Sequence, residues 1–296
     1  MHAAINSTVL MSGVESFGVL ELNPQSHQEV QPDIARARAE HAAIRQALEA
    51  AGVNVVQVEP PRGPHCQDGV YTANWALVRG SKAVLANLPS QRQGETSFAE
   101  KYLRELGKEI VRIPSHIRFS GQGDALPCGN FLFCGSGYRS DPEVHQILAD
   151  TLDYEVIPLQ TVPLLDDDYR PITNPVTGWP DSFFYDIDLA LSVLRAPSGT
   201  EKGLIAWCPE AFLPESQERL RAFDQVDKIE IPLEEAVEGF AANLVSTGET
   251  VIMSAHAPKL KAALEARHIK VVTPEVAELI KGGGFIRCTT LTLDNK

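Results

Sequence analysis

Near the end of the sequence, KGGGFIRCTTLTL (Lys281–Leu293) sets Cys288 in a strand-like stretch entered through glycines 282–284. A lone cysteine is commonly a small buried hydrophobe, because free Cys is among the most buried residue types. The alternative is a nucleophile whose approach the glycines keep clear. Four other short strand-like stretches carry a polar residue near their start: Asn74, Asp124, Asp186 with Asp188, and Asn243. Polar groups on inner strands are costly unless paired. One is noise, but polar residues at five matching places suggest a shared polar pocket. In such a pocket a thiol can attack and a carboxylate can hold a cation.

The elements that would position these residues repeat along the chain. A short apolar strand, a polar or proline-containing break, an amphipathic helix and a second β-rich strand recur five times, beginning near Phe17, Ala83, Phe131, Gly203 and Thr250. In the first copy Ile34, Ala37, Ile44, Leu48 and Ala51 share a helical face interrupted only by His41, whereas VNVVQV alternates like a strand. Four copies are preceded by a further strand and a tight turn: TANWALV-RGSK-AVLAN, GDAL-PCGN-FLFCG, DLALSVL-RAPSGTEK-GLIAW and AANLV-STGE-TVIMS. The Gly, Pro, Asn and Ser of these breaks are hairpin residues. The first copy lacks that strand, and GFIRCTTLTL can supply it. The expectation is a five-bladed α/β propeller of ββαβ modules closing into a ring over residues 1–296, one domain with no free sheet edge. A division into two domains is the weaker reading.

Composition narrows the partners. The 296 residues are 44% hydrophobic and 22% charged with a net charge of −13, and no run of five basic residues occurs. Nucleic acid and anionic membrane are poor partners, since phosphate recognition needs clustered Lys and Arg. No segment approaches the roughly 20 apolar residues of a membrane span. The N-terminal stretch lacks signal-peptide character, and the five cysteines show neither zinc spacing nor a disulfide pattern. A reducing cytoplasm is expected, with Cys128, Cys134 and Cys208 assigned to packing and no metal or cofactor called for.

Taken in order, QDGVYTANWALV (67–78), RFSGQGDALPCGN (118–130), GSGYRS (135–140), FYDIDLAL (184–191) and GGGFIRCTTLTL (282–293) resemble the guanidine-modifying penteins. The nearer likeness is to dimethylarginine dimethylaminohydrolases, arginine deiminases and the N-terminal domain of arginine dihydrolases. VESFGVLELNPQ (14–25) resembles the dihydrolase opening, with Asn23 in the matching place. The likeness spans nearly the whole chain and implies a cysteine that attacks a guanidinium carbon, releases ammonia or an alkylamine, and is freed by water. It implies Cys288 as nucleophile and a small arginine-like substrate, and leaves a homodimer open. It further implies that Asp68 holds the α-amine and that Arg92 and Arg139 clamp the α-carboxylate. Asn74 stands where the dihydrolases also place Asn. Ala73 stands where a dimethylaminohydrolase would have Glu, which argues against a methylated substrate.

Two departures are coupled. The family histidine motif, of the form FYHLD, reads FYDID here, with Asp186 in the histidine place and Asp188 retained. The family Glu that orients that histidine is Ser120, within FSGQGD. Without an imidazole to orient, a buried Glu would be an unpaired charge. Three readings follow. Asp186 takes over as acid/base or guanidinium partner; another histidine, best His65, substitutes; or hydrolysis is lost and an arginine-binding pseudoenzyme remains. An amidinotransferase is a further alternative. Hydrolysis of a guanidino or ureido C–N bond through Cys288, Asp186 and Asp188, with Asn74, Ser120 and Asp124 lining the pocket, is the preferred expectation.

Overall fold

The protein is described by a computed structural model over residues 4–296. Its first module comprises β1 (Thr8–Met11), α1 (Ile34–Ala50) and β2 (Asn54–Gln57). The second has β3 (Ala76–Arg79), β4 (Lys82–Leu85), α2 (Gly94–Glu105) and β5 (Glu109–Val111). The third has β6 (Ala125–Cys128), β7 (Phe131–Cys134), α3 (Glu143–Leu152) and β8 (Glu155–Pro158). The fourth has β9 (Leu191–Arg195), β10 (Gly203–Trp207), α4 (Pro214–Ala222) and β11 (Val226–Glu230), followed by a short α5 (Leu233–Glu238). The fifth has β12 (Val245–Ser246), β13 (Thr250–Ile252), α6 (Pro258–Glu265) and β14 (Lys270–Val272), and the last strand is β15 (Leu291–Thr292).

One pairing rule builds every sheet. An inner strand pairs antiparallel with the centre strand, as in Leu126↔Phe133, and the centre strand pairs parallel with an outer strand, as in Leu132↔Val156. Parallel neighbours need a long crossover, which the helix of each module provides. The first sheet has the order β15-β1-β2, with Val9 opposite Thr292 and Leu10 opposite Leu291. The final strand therefore completes the first module, and each of the five modules carries one three-stranded sheet.

Centre strands are buried because a helix covers one side and neighbouring modules the other. Leu10, Val84, Phe133, Ile205 and Val251 all have 0% exposure, each side chain contributing about 1.5–3 kcal/mol. Helix α1 begins where Asp33 Oδ1 accepts from Ala35 N (2.9 Å) and Arg36 N (3.1 Å), a side-chain cap for otherwise unpaired donors. Its buried face runs Ala37, His41, Ile44, Leu48. His41 belongs to that face, and burial lowers its imidazole to about 4, so it packs as a neutral ring.

Two expectations are corrected. FGVLELN is irregular, and the apolar strand of the first module is β1, upstream of it. Both stretches are apolar, but only TVLM lies in register with β2 and β15. The polar axial residues also precede the inner strands rather than starting them. Asn74, Asp188 and Cys288 lie in tight single-turn helices (Thr72–Trp75, Ile187–Leu189, Arg287–Thr289), and Asp124 follows one (Gly121–Gly123). Asn243 closes a comparable turn through its N–H to Phe240 O. A turn carries side chains past the end of the ladder toward the axis. The long connection between β8 and β9 carries two small bridged pairs, Leu165↔Pro171 and Thr173↔Pro180.

Candidate active site

Each module contributes one turn to a common cluster. From the last turn, Cys288 is 3% exposed. Asn243 grips it at two points: its Nδ2 donates to Sγ at 3.2 Å and its Oδ1 accepts from Cys288 N at 3.2 Å. On another side the thiol donates to Asp188 Oδ2 at 3.5 Å. Burial, and then the neighbouring Asp188 carboxylate, raise the thiol well above its ordinary value. Burial thus favours the thiol over the thiolate.

Asp186 occupies the centre of the cluster. Its Oδ2 accepts from Asn74 Nδ2 at 2.8 Å, and the Ser120 hydroxyl also donates to its carboxylate. Asn74 Nδ2 in turn donates to Ser120 Oγ and Ser120 O, both at 3.0 Å. The Ser120/Asp186 pair is a coherent exchange: a hydroxyl donor serves a carboxylate where a Glu acceptor would serve an imidazole. Asp186 Oδ1 and Asp188 Oδ1 are buried without a hydrogen-bond partner. Asp124 accepts from Ile187 N at 3.0 Å, and burial, then Asp186, push its carboxyl up to about 7. Burial likewise raises Asp186, and raises Asp188 well above the carboxylate range. Three carboxyl groups and a thiol thus share a buried site in which burial disfavours their negative forms, an arrangement that favours an incoming cation.

Arg92 is 1% exposed and pairs with Glu95 through Nε and Nη2, each at 2.8 Å. Its Nη1 donates to Asn74 Oδ1 (3.0 Å) and Nη2 to Asp68 O (3.2 Å). Glu95 is the partner that sequence reasoning missed, although Arg and Glu three apart at a helix start is a recognisable pair. With its donors taken up inside the protein, Arg92 in this arrangement is not free for the carboxylate clamp expected of it. Arg139 differs. It stacks on Tyr185 at 4.2 Å and gives one hydrogen bond, to Leu22 O at 2.6 Å. Asp68 lies 3.7 Å from Arg92 Nε, and burial raises its carboxyl to about 6.

The glycines before Cys288 are filled around rather than open. Asn23 Nδ2 donates to Gly282 O at 3.0 Å, and a side chain on Gly283, whose φ is +86°, would collide with the Asn23 amide. A side chain on Gly284 would meet the Tyr71 ring. Residues 21–25 are tied to the connection before β9: Asn174 Nδ2 donates to Glu21 O (3.2 Å) and Gln25 Nε2 to Phe183 O (2.6 Å). His65 is exposed on its loop, so the substitute-histidine reading fails on position. Among the described residues no histidine hydrogen-bonds to Cys288, Asp186 or Asp188. Cys128, Cys134 and Cys208 are buried, and burial raises all three thiols.

Five three-stranded blades around an axial thiol and carboxylates define the chain as a pentein. The family profile described as "N,N dimethylarginine dimethylhydrolase, eukaryotic" matches residues 21–172. The dimethylarginine dimethylaminohydrolase of Mycobacterium tuberculosis is 30% identical over 273 residues, covering 92% of this chain and 80% of that protein. The chain belongs to the dimethylarginine dimethylaminohydrolase family. It is also 29% identical over 259 residues to the bifunctional arginine dihydrolase/ornithine cyclodeaminase ArgZ of Synechocystis, of which it spans 33%. The solved N-terminal domain of ArgZ, an arginine dihydrolase, superposes with a TM-score of 0.81 at 26% identity, covering 97% of this chain and 98% of that one. The enzyme from Pseudomonas aeruginosa, solved with citrulline, shares the fold at a TM-score of 0.72 and 21% identity.

Proposed function

We propose that the protein hydrolyses a C–N bond of an arginine-like guanidino compound, with Cys288 as nucleophile. The observation that carries this reading is the Cys288 thiol within 3.5 Å of the Asp188 carboxylate, at the axis where buried Asp186 also lies. The relatives, named as a dimethylaminohydrolase and an arginine dihydrolase, support the same reaction class. A guanidinium is a permanent cation, and its arrival favours the charged forms of groups within about 4–6 Å. The unpartnered Asp186 Oδ1 is its acceptor.

The bound cation favours ionised Asp188, whose Oδ2 takes the thiol proton as Sγ bonds to the guanidinium carbon. The C–N bond then breaks as protonated Asp186 gives its proton to the leaving amine. Asp186, now a carboxylate, takes a proton from water, which attacks the thiouronium carbon. As the carbonyl forms its hydroxyl proton leaves to bulk water, and Sγ departs as thiolate and recovers its proton from Asp188. Asp186 thereby fills the acid/base place of an imidazole, with Asn74 and Ser120 holding it. Arg139, Asp68 and Asn23 hold the amino-acid end of the substrate, and Arg92 positions Asn74 and Asp68. The protein acts as a soluble cytoplasmic enzyme on this reading.

The test is a panel of arginine, N-methylated arginines, agmatine and citrulline assayed for ammonia, alkylamine, ornithine and citrulline release. Turnover is expected with at least one guanidino compound and is lost in Cys288→Ser. Turnover surviving in that variant overturns the mechanism. A second reading, a binding protein without turnover, draws on the lack of a histidine at Cys288; saturable binding of the panel with no product would establish it. In a Ser120→Glu/Asp186→His variant, a gain of turnover would show that the pocket otherwise accepts the imidazole arrangement.

A further inference from the structure

At the other end of the axis from the substrate side, behind the catalytic turns, lies a cavity of about 150 Å³. The 127–129 and 196–197 hairpin turns help to line it, together with Asn6 and residues 294–296. Asp188 lines it too, so this carboxylate forms the partition: Oδ2 touches the Cys288 thiol on one side, and the cavity lies on the other. Three buried oxygens on cavity-lining residues have no hydrogen-bond partner: Asp188 Oδ1, Ser192 Oγ and Asp294 Oδ1. Asp188 is 1% and Ser192 5% exposed.

Unsatisfied buried oxygens are costly, and two carboxylates with one hydroxyl call for a ligand rich in N–H donors. Two cations also line the cavity. Arg287 donates through Nη1 to Thr290 Oγ1 at 3.1 Å and Thr292 Oγ1 at 3.3 Å and its charge acts on Asp188, yet it leaves Asp188 Oδ1 without a hydrogen bond, and Lys296 is exposed. Apolar Leu126, Leu191, Val193 and Leu244 supply the remaining walls, which suits a short hydrocarbon body. A multivalent metal is disfavoured, because no group of three or more His, Cys, Asp or Glu among the described residues could hold one. At roughly 30 Å³ per water, the space takes a short alkylammonium with a water or two.

We propose that this rear cavity is a binding site for ammonium or a short primary alkylammonium ion, held by Asp188 Oδ1, Ser192 Oγ and Asp294 Oδ1. The site needs no turnover and stands apart from the substrate side, sharing only the Asp188 carboxylate with it. Occupation of the cavity therefore reaches the nucleophile through a single side chain.

The experiment titrates the full chain, without substrate, with methylammonium chloride at constant ionic strength and reads the melting temperature. Sodium and tetramethylammonium chlorides serve as controls. The expected result is a rise of about 2–4 °C at ten times Kd that grows with the logarithm of concentration above Kd, with neither control reproducing it, since tetramethylammonium has no N–H. Ser192→Ala and Asp294→Asn should each weaken the apparent Kd about tenfold, the loss of one hydrogen bond to a charged group. A flat wild-type titration, meaning that the cavity holds water alone, overturns the proposal. So does a tetramethylammonium response equal to that of methylammonium, or a Kd unchanged in both variants. If a variant does not fold, the wild-type contrast between the two ammonium ions decides.

Discussion

Asp186→Asn should make the protein more stable and nearly inactive at once. The substitution keeps the shape and an oxygen for Asn74 Nδ2, now 2.8 Å away, but removes a buried carboxyl that takes on negative charge as pH rises. Asp124 registers that charge: its carboxyl stands at about 7 against an ordinary 3.8, with Asp186 the second cause after burial. At ~1.36 kcal/mol per pH unit the interval is worth about 4 kcal/mol. An acid raised in the folded state destabilises as pH climbs from its unfolded value through its folded one, because the native state holds more protons there. Removing Asp186 should recover roughly half of this, on the order of 2 kcal/mol above pH 7. Near pH 4, where the wild-type carboxyls are protonated, the two proteins should be equally stable. Urea unfolding at pH 4, 6 and 8 measures the difference, and turnover should fall by about 10²–10⁴. A variant no more stable than wild type at pH 8, or one retaining a tenth of its activity, refutes the reasoning.

Glu95→Ala leaves Arg92 buried with only Asn74 and the Asp68 main chain and side chain beside it, and should cost about 3–5 kcal/mol in urea unfolding. Its milder relative Glu95→Gln should raise KM more than it lowers stability, since the loss reaches the substrate through Asn74 and Asp68. Gly284→Ala places a methyl against the Tyr71 ring beside Cys288; a loss of about 1–3 kcal/mol with slower alkylation of Cys288 is expected in an iodoacetamide time course. His41→Leu addresses acid sensitivity. A histidine lowered to about 4 contributes stability that is present above its unfolded value near 6.5 and lost as pH falls toward 4. The variant's unfolding midpoint should fall less steeply than wild type across that window.

Much of this molecule was legible in its sequence because the blades repeat, and repetition turns weak local signals into a register. TANWALV-RGSK-AVLAN identifies a hairpin alone, but the placing of Asn74, Asp124, Asp188, Asn243 and Cys288 at equivalent points came from comparing copies. The first blade misled because FGVLELN is as apolar as TVLM, and only pairing with β2 and β15 separates them. The glycines at 282–284 read as keeping the approach to Cys288 clear, whereas Asn23 and Tyr71 fill the space around them. Arg92 looked like a substrate clamp because its motif says nothing of Glu95 turning back on it. Asn243 was visible as a polar axial residue, whereas its two-point hold on Cys288 depends on how adjacent blades abut. The rear cavity was invisible, because its walls come from turns whose sequences share nothing but geometry.

Because each blade brings one turn to the axis, the polar cluster works as an iris: a slight tilt of any leaf alters the aperture for all. No fragment holding fewer than all five blades contains the assembled cluster. A chain divided in the 196–202 turn, between β9 and β10, would carry Asp186 and Asp188 on one piece and Asn243 and Cys288 on the other. Whatever activity such a pair regains on mixing reports how completely the ring has closed, making the enzyme a gauge of its own assembly.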